Sequence, residues 1–349
     1  MINEKYMRRA LQLAHQGTGH TSPNPMVGAV IVGPDGTIIG EGWHRKCGEG
    51  HAEVNAVASV ADSDLLKDST IYVTLEPCSH YGKTPPCARL LIEHGIPRVV
   101  VGCLDPFVKV AGRGVAMLRE AGIEVTVGVL EQECRDLNRR FMTALTIGRP
   151  WVQLKWAQTA DGFIALPPDA GENPLHMSTP LTMCLMHRQR SLCDAIVVGA
   201  ATARIDNPSL TTRYWPGSSP LRVVLSRDLS IPDNLNLLTD GQPTVVYNGM
   251  KNEVCGAVEF VKMDTSSPES WLEDLYRRGV TSVMVEGGTQ VLQSMIDASA
   301  WDEARIEVSP RRVGQGTVAP VLYGRQVGQH LVDGNAITYL VPCDTEGHS

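Results

Sequence analysis

Apolar residues recur along the first half of the chain in runs that predict buried strands, separated by segments with the periodicity of amphipathic helices. The predicted strands cover residues 26–32, 70–75, 98–103 and 123–129. The predicted helices cover residues 1–17, 51–60, 87–95 and 114–122, and a further helix runs over about 131–146. Strands and helices that alternate in this way favour a central sheet with helices on its faces.

The second half repeats this rhythm after a break at Gly148 and Pro150. Its predicted strands cover residues 151–157, 195–199, 221–226, 243–247, 282–288, 304–310 and 337–341. Its predicted helices cover residues 180–192, 271–279 and 289–298. Residues 311–336 show no clear period, so no element is assigned to them. The pattern predicts two α/β domains, 1–147 and 148–349.

Composition narrows the class of protein without changing this organisation. The 349 residues include 43% hydrophobic and 20% charged positions, which is ordinary for a globular protein, and the formal net charge is −7. No long basic run favours nucleic-acid binding, and no run of apolar residues is long enough to cross a membrane. Nine scattered cysteines and the lack of a signal-peptide pattern predict a protein of the reducing cytoplasm.

Candidate metal chemistry lies in the first predicted domain, where three residues stand at the ends of predicted elements. His51 opens a helix, Cys78 follows a strand, and Cys87 opens the next helix. Helix N-termini favour thiolates, and three protein ligands leave a fourth zinc position for water, as catalytic zinc requires. Glu53 follows His51 closely and can exchange a proton with that water.

The order H-x-E, then P-C, then C is typical of zinc nucleobase deaminases. Here it reads His51-Ala52-Glu53 and Pro77-Cys78, but eight residues rather than two separate Cys78 from Cys87. Two other interpretations remain open at this point: buried polar residues without a metal, or a purely structural zinc site. A structural site would need a fourth protein ligand and would give Glu53 no role.

The loop between the cysteines points to one family. PCSHYGKTPPC (77–87), with PNPMVGAVIV (23–32), EGWH (41–44) and VAGRG (110–114), resembles the bifunctional deaminase/reductase of riboflavin biosynthesis. The resemblance implies a cytidine-deaminase-like α/β/α domain followed by a dihydrofolate-reductase-like α/β domain. It also implies one Zn²⁺ per chain and, as substrate, 2,5-diamino-6-ribosylamino-4(3H)-pyrimidinone 5′-phosphate.

In the deaminase, the resemblance assigns Glu53 as the catalytic residue and His51, Cys78 and Cys87 as zinc ligands. It places the substrate on Asn24, His44, His80 and Lys83. An amide and imidazoles can bind the edge of a pyrimidine, and a lysine can meet a phosphate. Without the resemblance, Asn24 would be interpreted as a turn residue and Lys83 as part of a solvated loop.

The resemblance continues through Lys155, TADG (159–162), DAIVVGAATARIDNPSLTTR (194–213), VEGG (285–288) and DEARIEVSP (302–310). It implies a reductase that uses NADPH to convert the ribosyl group to a ribityl chain by hydride delivery to C1′. The implied substrate residues are Lys155, Asn173, Arg190, Leu210, Arg213 and Glu286. The implied cofactor residues are Ala157, Leu175, Thr202, Asp206, Ser226, Gly288, Thr289, Gln290, Val291, Leu292, Gln293 and Ser294.

The residues alone support the reductase less specifically. VEGG predicts a strand, a glycine turn and a helix whose N-terminus could receive a pyrophosphate, while G-x-G-x-x-G is absent, which disfavours a Rossmann site. The chain also departs from the family. Leu175 or His176 replaces a usual Trp, Ser226 replaces an Asp, and Ser22 replaces a His before the PNP motif.

Two rivals to a bifunctional enzyme remain. In one, the second domain is a degenerate binding or assembly module, a hypothesis motivated by the missing Trp. In the other, the deaminase acts on nucleic acid, which the acidic charge disfavours. The predicted partners are small phosphorylated pyrimidines, with no nucleic acid and no membrane. By analogy with the family, we expect a homo-oligomer, a dimer or tetramer assembled through the reductase domain.

Overall fold

The computed structural model describes residues 2–80, 85–107, 111–167 and 175–343. The chain divides into two compact units, Met1–Gly148 and Arg149–Ser349. Within the described ranges, no helix combines the length and the apolar character that a membrane crossing requires.

The first unit is built on one five-stranded sheet. Its strands are β1 (Gly28–Val32), β2 (Ile38–Trp43), β3 (Thr70–Leu75), β4 (Arg98–Cys103) and β5 (Glu124–Val127). Its helices are α1 (Glu4–Ala14), α2 (Ala52–Ala58), α3 (Cys87–Glu93), α4 (Arg113–Glu120), α5 (Glu131–Leu137) and α6 (Arg139–Ile147), with 3-10 turns at His15–Gly17 and Ser63–Asp68. The strand order is β2-β1-β3-β4-β5, and β3, β4 and β5 are parallel.

Side-chain alternation along these strands buries both faces of the sheet. Ile31, Ile71 and Val99 pack with α2, α3 and α4, whereas Val30 and Tyr72, their strand neighbours, pack with α1, α5 and α6. Burial on both faces removes a large apolar area from water, which stabilises the layered arrangement. The predicted α/β/α layering is therefore what the first unit has.

The single helix predicted over about 131–146 is wrong, because the structure has α5 and α6 in its place. Asn138 lies between them with φ −106° and ψ 20°. Its side chain accepts a hydrogen bond from the Met26 N–H at 2.8 Å and donates to the Met26 carbonyl at 2.9 Å. These two long-range bonds hold Asn138 outside a continuous helix.

The second unit is larger and contains twelve of the described strands. They are β6 (Trp151–Thr159), β7 (Phe163–Ala165), β8 (Ala195–Gly199), β9 (Leu221–Leu225), β10 (Thr244–Asn248), β11 (Glu253–Cys255), β12 (Val258–Lys262), β13 (Ser282–Val285), β14 (Glu303–Ser309), β15 (Thr317–Val318), β16 (Arg325–Val332) and β17 (Asn335–Val341). Its helices are α7 (Pro180–Arg190), α8 (Ala200–Asp206), α9 (Asn236–Thr239), α10 (Pro268–Arg277) and α11 (Thr289–Asp297).

Ten of these strands form one sheet in the order β11-β12-β10-β9-β8-β13-β6-β14-β17-β16, and β7 pairs with β15. The strands from β12 to β14 in this order are parallel, so their carboxyl ends lie along one edge. One face packs on α10 and α11, while α8 and α9 pack on the other face. In parallel sheets, ligands bind beyond the carboxyl ends of the strands.

Candidate functional site

The three candidate zinc ligands meet at the ends of β3, α2 and α3. His51 is the N-cap of α2, and Cys87 is the first residue of α3. The His51 Nδ1 atom lies 3.3 Å from Cys87 Sγ and 3.6 Å from Cys78 Sγ, and the three ligand atoms lie within 4.8 Å of one another. One nitrogen and two sulfur donors at these separations suit a zinc ion.

A close approach between α2 and β2 fixes the position of this helix N-terminus. A Cβ atom at Gly42 would lie only 2.3 Å from the Ala56 nitrogen, so glycine is required where the helix crosses the strand. The Asn55 side chain donates to the carbonyl groups of Trp43 and Gly50 at 2.8 and 3.1 Å. These contacts hold the segment that leads into His51.

The thiols of the cluster differ in acidity. The Cys87 thiol and, at 3.2 Å, the Cys87 backbone N–H donate to Cys78 Sγ. The thiol bond is the largest cause, and together with His51 these contacts lower the pKa of Cys78 to about 4. The pKa of Cys87 is raised, because its thiol donates to Cys78 and is buried. Cys78 is therefore prepared to be a thiolate, the form that binds metals.

Glu53 lies in the first turn of α2 with only 3% of its surface exposed. Burial raises its pKa to about 7, and the negative charge of Cys78 acts in the same direction. A carboxyl group that titrates near neutral pH can both accept and return a proton. Glu53 thus has the properties of a general acid–base residue beside the three candidate zinc ligands.

The structure brings His44 and Asn24 to the same cluster. The ring of His44 lies edge-on to that of His51, with 5.6 Å between centroids. Its Nδ1 atom lies 3.2 Å from the Gly50 carbonyl, so Nδ1 carries the proton and Nε2 accepts from the Asn24 amide at 3.3 Å. Burial lowers the pKa of His44, which favours this neutral form.

For the other two residues predicted to bind the deaminase substrate, His80 and Lys83, the structure shows less about their place in the site. His80 is exposed at the end of a described segment. Lys83 lies outside the described residues, as does Val110 at the start of the VAGRG motif.

Sequence reasoning missed Glu76, which is 5% exposed and lies two residues before Cys78. Its carboxylate accepts four backbone N–H groups at 2.8 to 3.2 Å, from Asp105, Gly112, Gly114 and Val115. A Cβ atom at Gly114 would lie 2.0 Å from the Pro77 carbonyl oxygen, so α4 begins directly against this segment. An acid at the end of a buried strand was the available signal, because such a group needs several donors.

The second unit has a buried ion pair at the carboxyl edge of its sheet. Nε and Nη2 of Arg190 donate to the two carboxylate oxygens of Glu286 at 2.8 and 2.7 Å, and Nη1 donates to the Thr211 carbonyl at 3.3 Å. Burial opposes ionisation of Glu286, but the charge and hydrogen bonds of Arg190 lower its pKa to about 2. Burial lowers the pKa of the neighbouring Lys155, against the attraction of Glu286.

Three of the predicted cofactor residues converge at this edge from β9, α8 and the turn before α11. A Cβ atom at Gly288 would lie 3.2 Å from the Thr202 hydroxyl oxygen, and the Gly199 N–H donates to the Gly287 carbonyl at 3.0 Å. The Ser226 hydroxyl is buried, 1% exposed, and has no hydrogen-bond partner among the described residues. An orphaned hydroxyl at the same edge of the sheet as a glycine turn and a helix N-terminus fits the polar groups of a dinucleotide.

Several predicted residues can offer little more than backbone groups to a ligand. The side chains of Leu210 and Leu292 are in the core, with 2% and 0% exposure. Ser294 bonds to the Val291 carbonyl of its own helix, and Gln293 accepts from the Val321 N–H.

The remaining predicted residues occupy the same region of the sheet or lie outside the described ranges. Ala157 lies on β6, Asp206 ends α8, and Thr289 and Gln290 begin α11. Arg213 is exposed, Leu175 is half-buried, and Asn173 lies outside the described residues.

A second charged pair, Arg305 and Glu307, was not anticipated. Arg305 stands opposite Lys155 in the register of β14 and β6. Arg305 and Glu307 are 1% and 0% exposed, with 3.6 Å between Nη1 and Oε2, and the other oxygen of Glu307 accepts from Asn335 at 2.7 Å. Among the described residues the three guanidinium nitrogens of Arg305 have no hydrogen-bond partner.

Comparison with known proteins accounts for both units. Residues 1–103 match the zinc-binding region of cytidine and deoxycytidylate deaminases, and residues 150–337 match the RibD C-terminal domain. The chain is 40% identical over 344 residues to the riboflavin biosynthesis protein RibD of Bacillus amyloliquefaciens, covering 95% of this chain and 91% of that one. The chain belongs to the RibD family.

Other RibD proteins agree with this assignment. RibD of Escherichia coli is 34% identical over 90% of this chain and 89% of its own length. A crystal structure from Thermotoga maritima superposes with a TM-score of 0.88 at 38% identity, covering 97% of this chain and 98% of that one. It is the structure of a diaminohydroxyphosphoribosylaminopyrimidine deaminase/5-amino-6-(5-phosphoribosylamino)uracil reductase. RibD of Acinetobacter baumannii also gives 0.88, at 30% identity. The predicted fold class, a deaminase-like domain followed by a reductase domain, is confirmed.

Proposed function

We propose that each unit carries its own active site, one for zinc-dependent deamination and one for NADPH-dependent reduction. As a RibD family member, the protein is a bifunctional deaminase and reductase of riboflavin biosynthesis. The observation that carries the residue assignment is the convergence of His51, Cys78 and Cys87 beside the buried Glu53. The proposed substrate is 2,5-diamino-6-ribosylamino-4(3H)-pyrimidinone 5′-phosphate.

In the deaminase unit, His51, Cys78 and Cys87 would hold the zinc ion. When bound, zinc supplies Lewis acidity that lowers the pKa of water to about 7. Glu53 accepts the proton of the attacking water and returns it to the 2-amino group, which leaves as ammonia. Both nitrogens of His44 are used by Gly50 and Asn24, so His44 contributes by holding the Asn24 amide toward the pyrimidine.

In the reductase unit, some groups at the carboxyl edge of the sheet bind the substrate and others bind the cofactor. NADPH, when bound, supplies the hydride that reduces C1′ of the ribosyl group. The turn at Gly288 directs the first N–H groups of α11 toward an anionic pyrophosphate, with the Thr202 hydroxyl beside the turn and the Ser226 hydroxyl at the same edge of the sheet. Lys155 and Glu286 face the sugar.

Arg213 is the main residue that binds the phosphate of the substrate. Arg190 uses three of its five N–H donors on Glu286 and Thr211, which leaves two for a ligand. Arg213 is exposed and keeps most of its guanidinium open, with one bond at 3.4 Å to the Thr211 hydroxyl. We therefore assign the phosphate to Arg213, with Arg190 as a secondary contact.

Assembly and location are part of the same proposal. None of the nine cysteines, all of which lie in the described residues, forms a disulfide, which supports a reducing compartment such as the cytoplasm. The homo-oligomer rests on the family analogy, and sedimentation equilibrium of the full chain tests it. A monomer at micromolar concentration would overturn that part.

The test supplies the diaminopyrimidinone phosphate, zinc and NADPH to the purified protein, and follows ammonia and the absorbance of NADPH at the same time. Ammonia release with equimolar NADPH oxidation is expected. Ammonia without NADPH oxidation, even when deaminated substrate is added, would make the second unit a binding or assembly module. If neither signal appears, the proposed substrate is wrong.

A further inference from the structure

One face of α7 contacts the backbone of the segment 211–215, which carries Arg213. The Cys184 thiol donates to the Tyr214 carbonyl at 3.2 Å, one end of the contact. At the other end, Nη1 of Arg190 donates to the Thr211 carbonyl at 3.3 Å. The helix therefore holds the segment through its main chain on both sides of Arg213.

His187 makes the contact between these two. It is 1% exposed, and its Nδ1 atom lies 2.9 Å from the backbone nitrogen of Arg213. Its ring also meets the ring of Tyr214 edge-on, with 4.8 Å between centroids. Because a backbone N–H can only donate, Nδ1 must be the unprotonated acceptor, and the ring carries its proton on Nε2.

Burial and positive charges on three elements keep this ring neutral. Burial is the largest cause, and Arg190 on α7, Arg213 on the segment and Lys155 on β6 add positive charge around it. Glu286, after β13, acts in the opposite direction. The result lowers the pKa of His187 to about 4, so the accepting form persists at neutral pH.

We propose that His187 is a positioning residue of the reductase, whose Nδ1 atom fixes the backbone at Arg213 so that the guanidinium can meet the 5′-phosphate of the substrate. The inference rests on the proposed function, because it takes the phosphate of the reductase substrate as the ligand of Arg213. His187 acts through the main chain and needs no contact with the substrate.

Two substitutions separate this role from general packing. In His187→Asn the side-chain oxygen can take the place of Nδ1, whereas in His187→Gln the amide reaches the place of Nε2. We expect His187→Gln and His187→Ala to raise the KM for the deaminated, phosphorylated substrate about tenfold, the size of one lost hydrogen bond. The KM of His187→Asn for this substrate should stay within about twofold of the wild-type value. In all three variants kcat should change little.

The dephosphorylated riboside is the control substrate. Its KM should be the same in the wild type and the variants, because it presents no phosphate to Arg213. Deaminase activity, measured by ammonia release from the first substrate, should also be unchanged and reports that each variant is folded. An equal rise of KM for both substrates, or unchanged KM values in His187→Gln, would overturn the inference.

A readout that needs no turnover separates this inference from the proposed function. In ¹⁵N-histidine spectra at neutral pH, the signal that is lost in His187→Asn should be that of a neutral ring with Nδ1 unprotonated. A proton on Nδ1 would overturn the positioning role whatever the kinetics. If the wild type fails to oxidise NADPH but shows the expected tautomer, the proposed function fails while the contact to Arg213 stands.

Discussion

The two units build their sites in different ways. In the first, the proposed zinc ligands and Glu53 lie at the ends of β3, α2 and α3, close to one another in the sequence. In the second, the candidate site draws on β6, α7, α8, the end of β9 and the turn between β13 and α11, which the fold of the unit brings together. When a site is formed by the ends of elements that are neighbours in the sequence, its residues form a recognisable sequence motif. When the sheet topology brings distant elements together, the site residues are scattered along the sequence.

The electrostatics differ as well. The first unit gathers an imidazole and two thiols, and one of these thiols, Cys78, has its pKa lowered to about 4, which favours the thiolate that binds metals. The second unit buries two Arg–Glu pairs, Arg190–Glu286 and Arg305–Glu307, beside Lys155. Buried ion pairs cost desolvation and depend on each partner, so the second site should be the one whose stability is sensitive to charge.

The largest expected effect separates the two chemistries. Glu53→Gln keeps the size of the side chain but cannot transfer the proton, so deamination should fall by about 10³-fold. Reduction of separately supplied deaminated substrate should be unchanged. Ammonia release and NADPH oxidation measure the two halves, and a parallel loss of reduction would show that the sites are not independent.

A stability experiment tests the buried charges of the second unit. Glu307→Leu leaves Arg305 uncompensated and should lower the free energy of unfolding by about 3–5 kcal/mol. The double variant Arg305→Leu/Glu307→Leu is the matched control and should recover most of that loss. Five of the six tryptophans lie in this unit, so thermal unfolding followed by fluorescence reports on it. Equal destabilisation in the two variants would contradict this interpretation of the pair.

The smallest predicted effect is an acid sensitivity of the second unit. His187 has its pKa lowered from 6.5 to about 4, so the unfolded chain binds a proton first and stability falls as the pH drops from 6.5 toward 4. Glu286, with its pKa lowered to about 2, contributes stability above pH 4.5 that is lost as the pH falls through 2. We expect the free energy of unfolding to fall by about 1–3 kcal/mol between pH 7 and pH 4.

His187→Asn provides the control for the upper part of this range. It removes the titrating group and should flatten the dependence of the unfolding free energy between pH 6.5 and 4. A slope equal to that of the wild type would assign the acid sensitivity to other groups.

Much of the fold follows from apolar periodicity. β3, β4 and β8 begin and end where the pattern predicted them, because a run buried on both faces has clear limits. The helix break at Asn138 could not be predicted, since it depends on a hydrogen bond to Met26, which is far away in the sequence. β16 lies in the unassigned region, and its edge position leaves most of its side chains exposed and its pattern weak.

The candidate sites likewise include residues that the sequence predicts and residues that only the structure reveals. The cluster of His51, Cys78 and Cys87 could be proposed from residue chemistry and order alone. Arg305 and Glu307 could not, because alternation along β14 resembles a strand with one solvated face, whereas the structure buries that face. Likewise, His187 has no motif of its own, and only the contact with Arg213 shows its place in the site.

The central claim is that His51, Cys78 and Cys87 hold a catalytic zinc ion and leave one position for water. X-ray absorption at the zinc edge of the zinc-loaded full chain measures the ligand set directly. We predict one zinc per chain with two sulfur ligands and the remaining ligands nitrogen or oxygen, and one sulfur fewer in Cys78→Ser. Four sulfur ligands, or a wild-type spectrum without sulfur, would contradict the account.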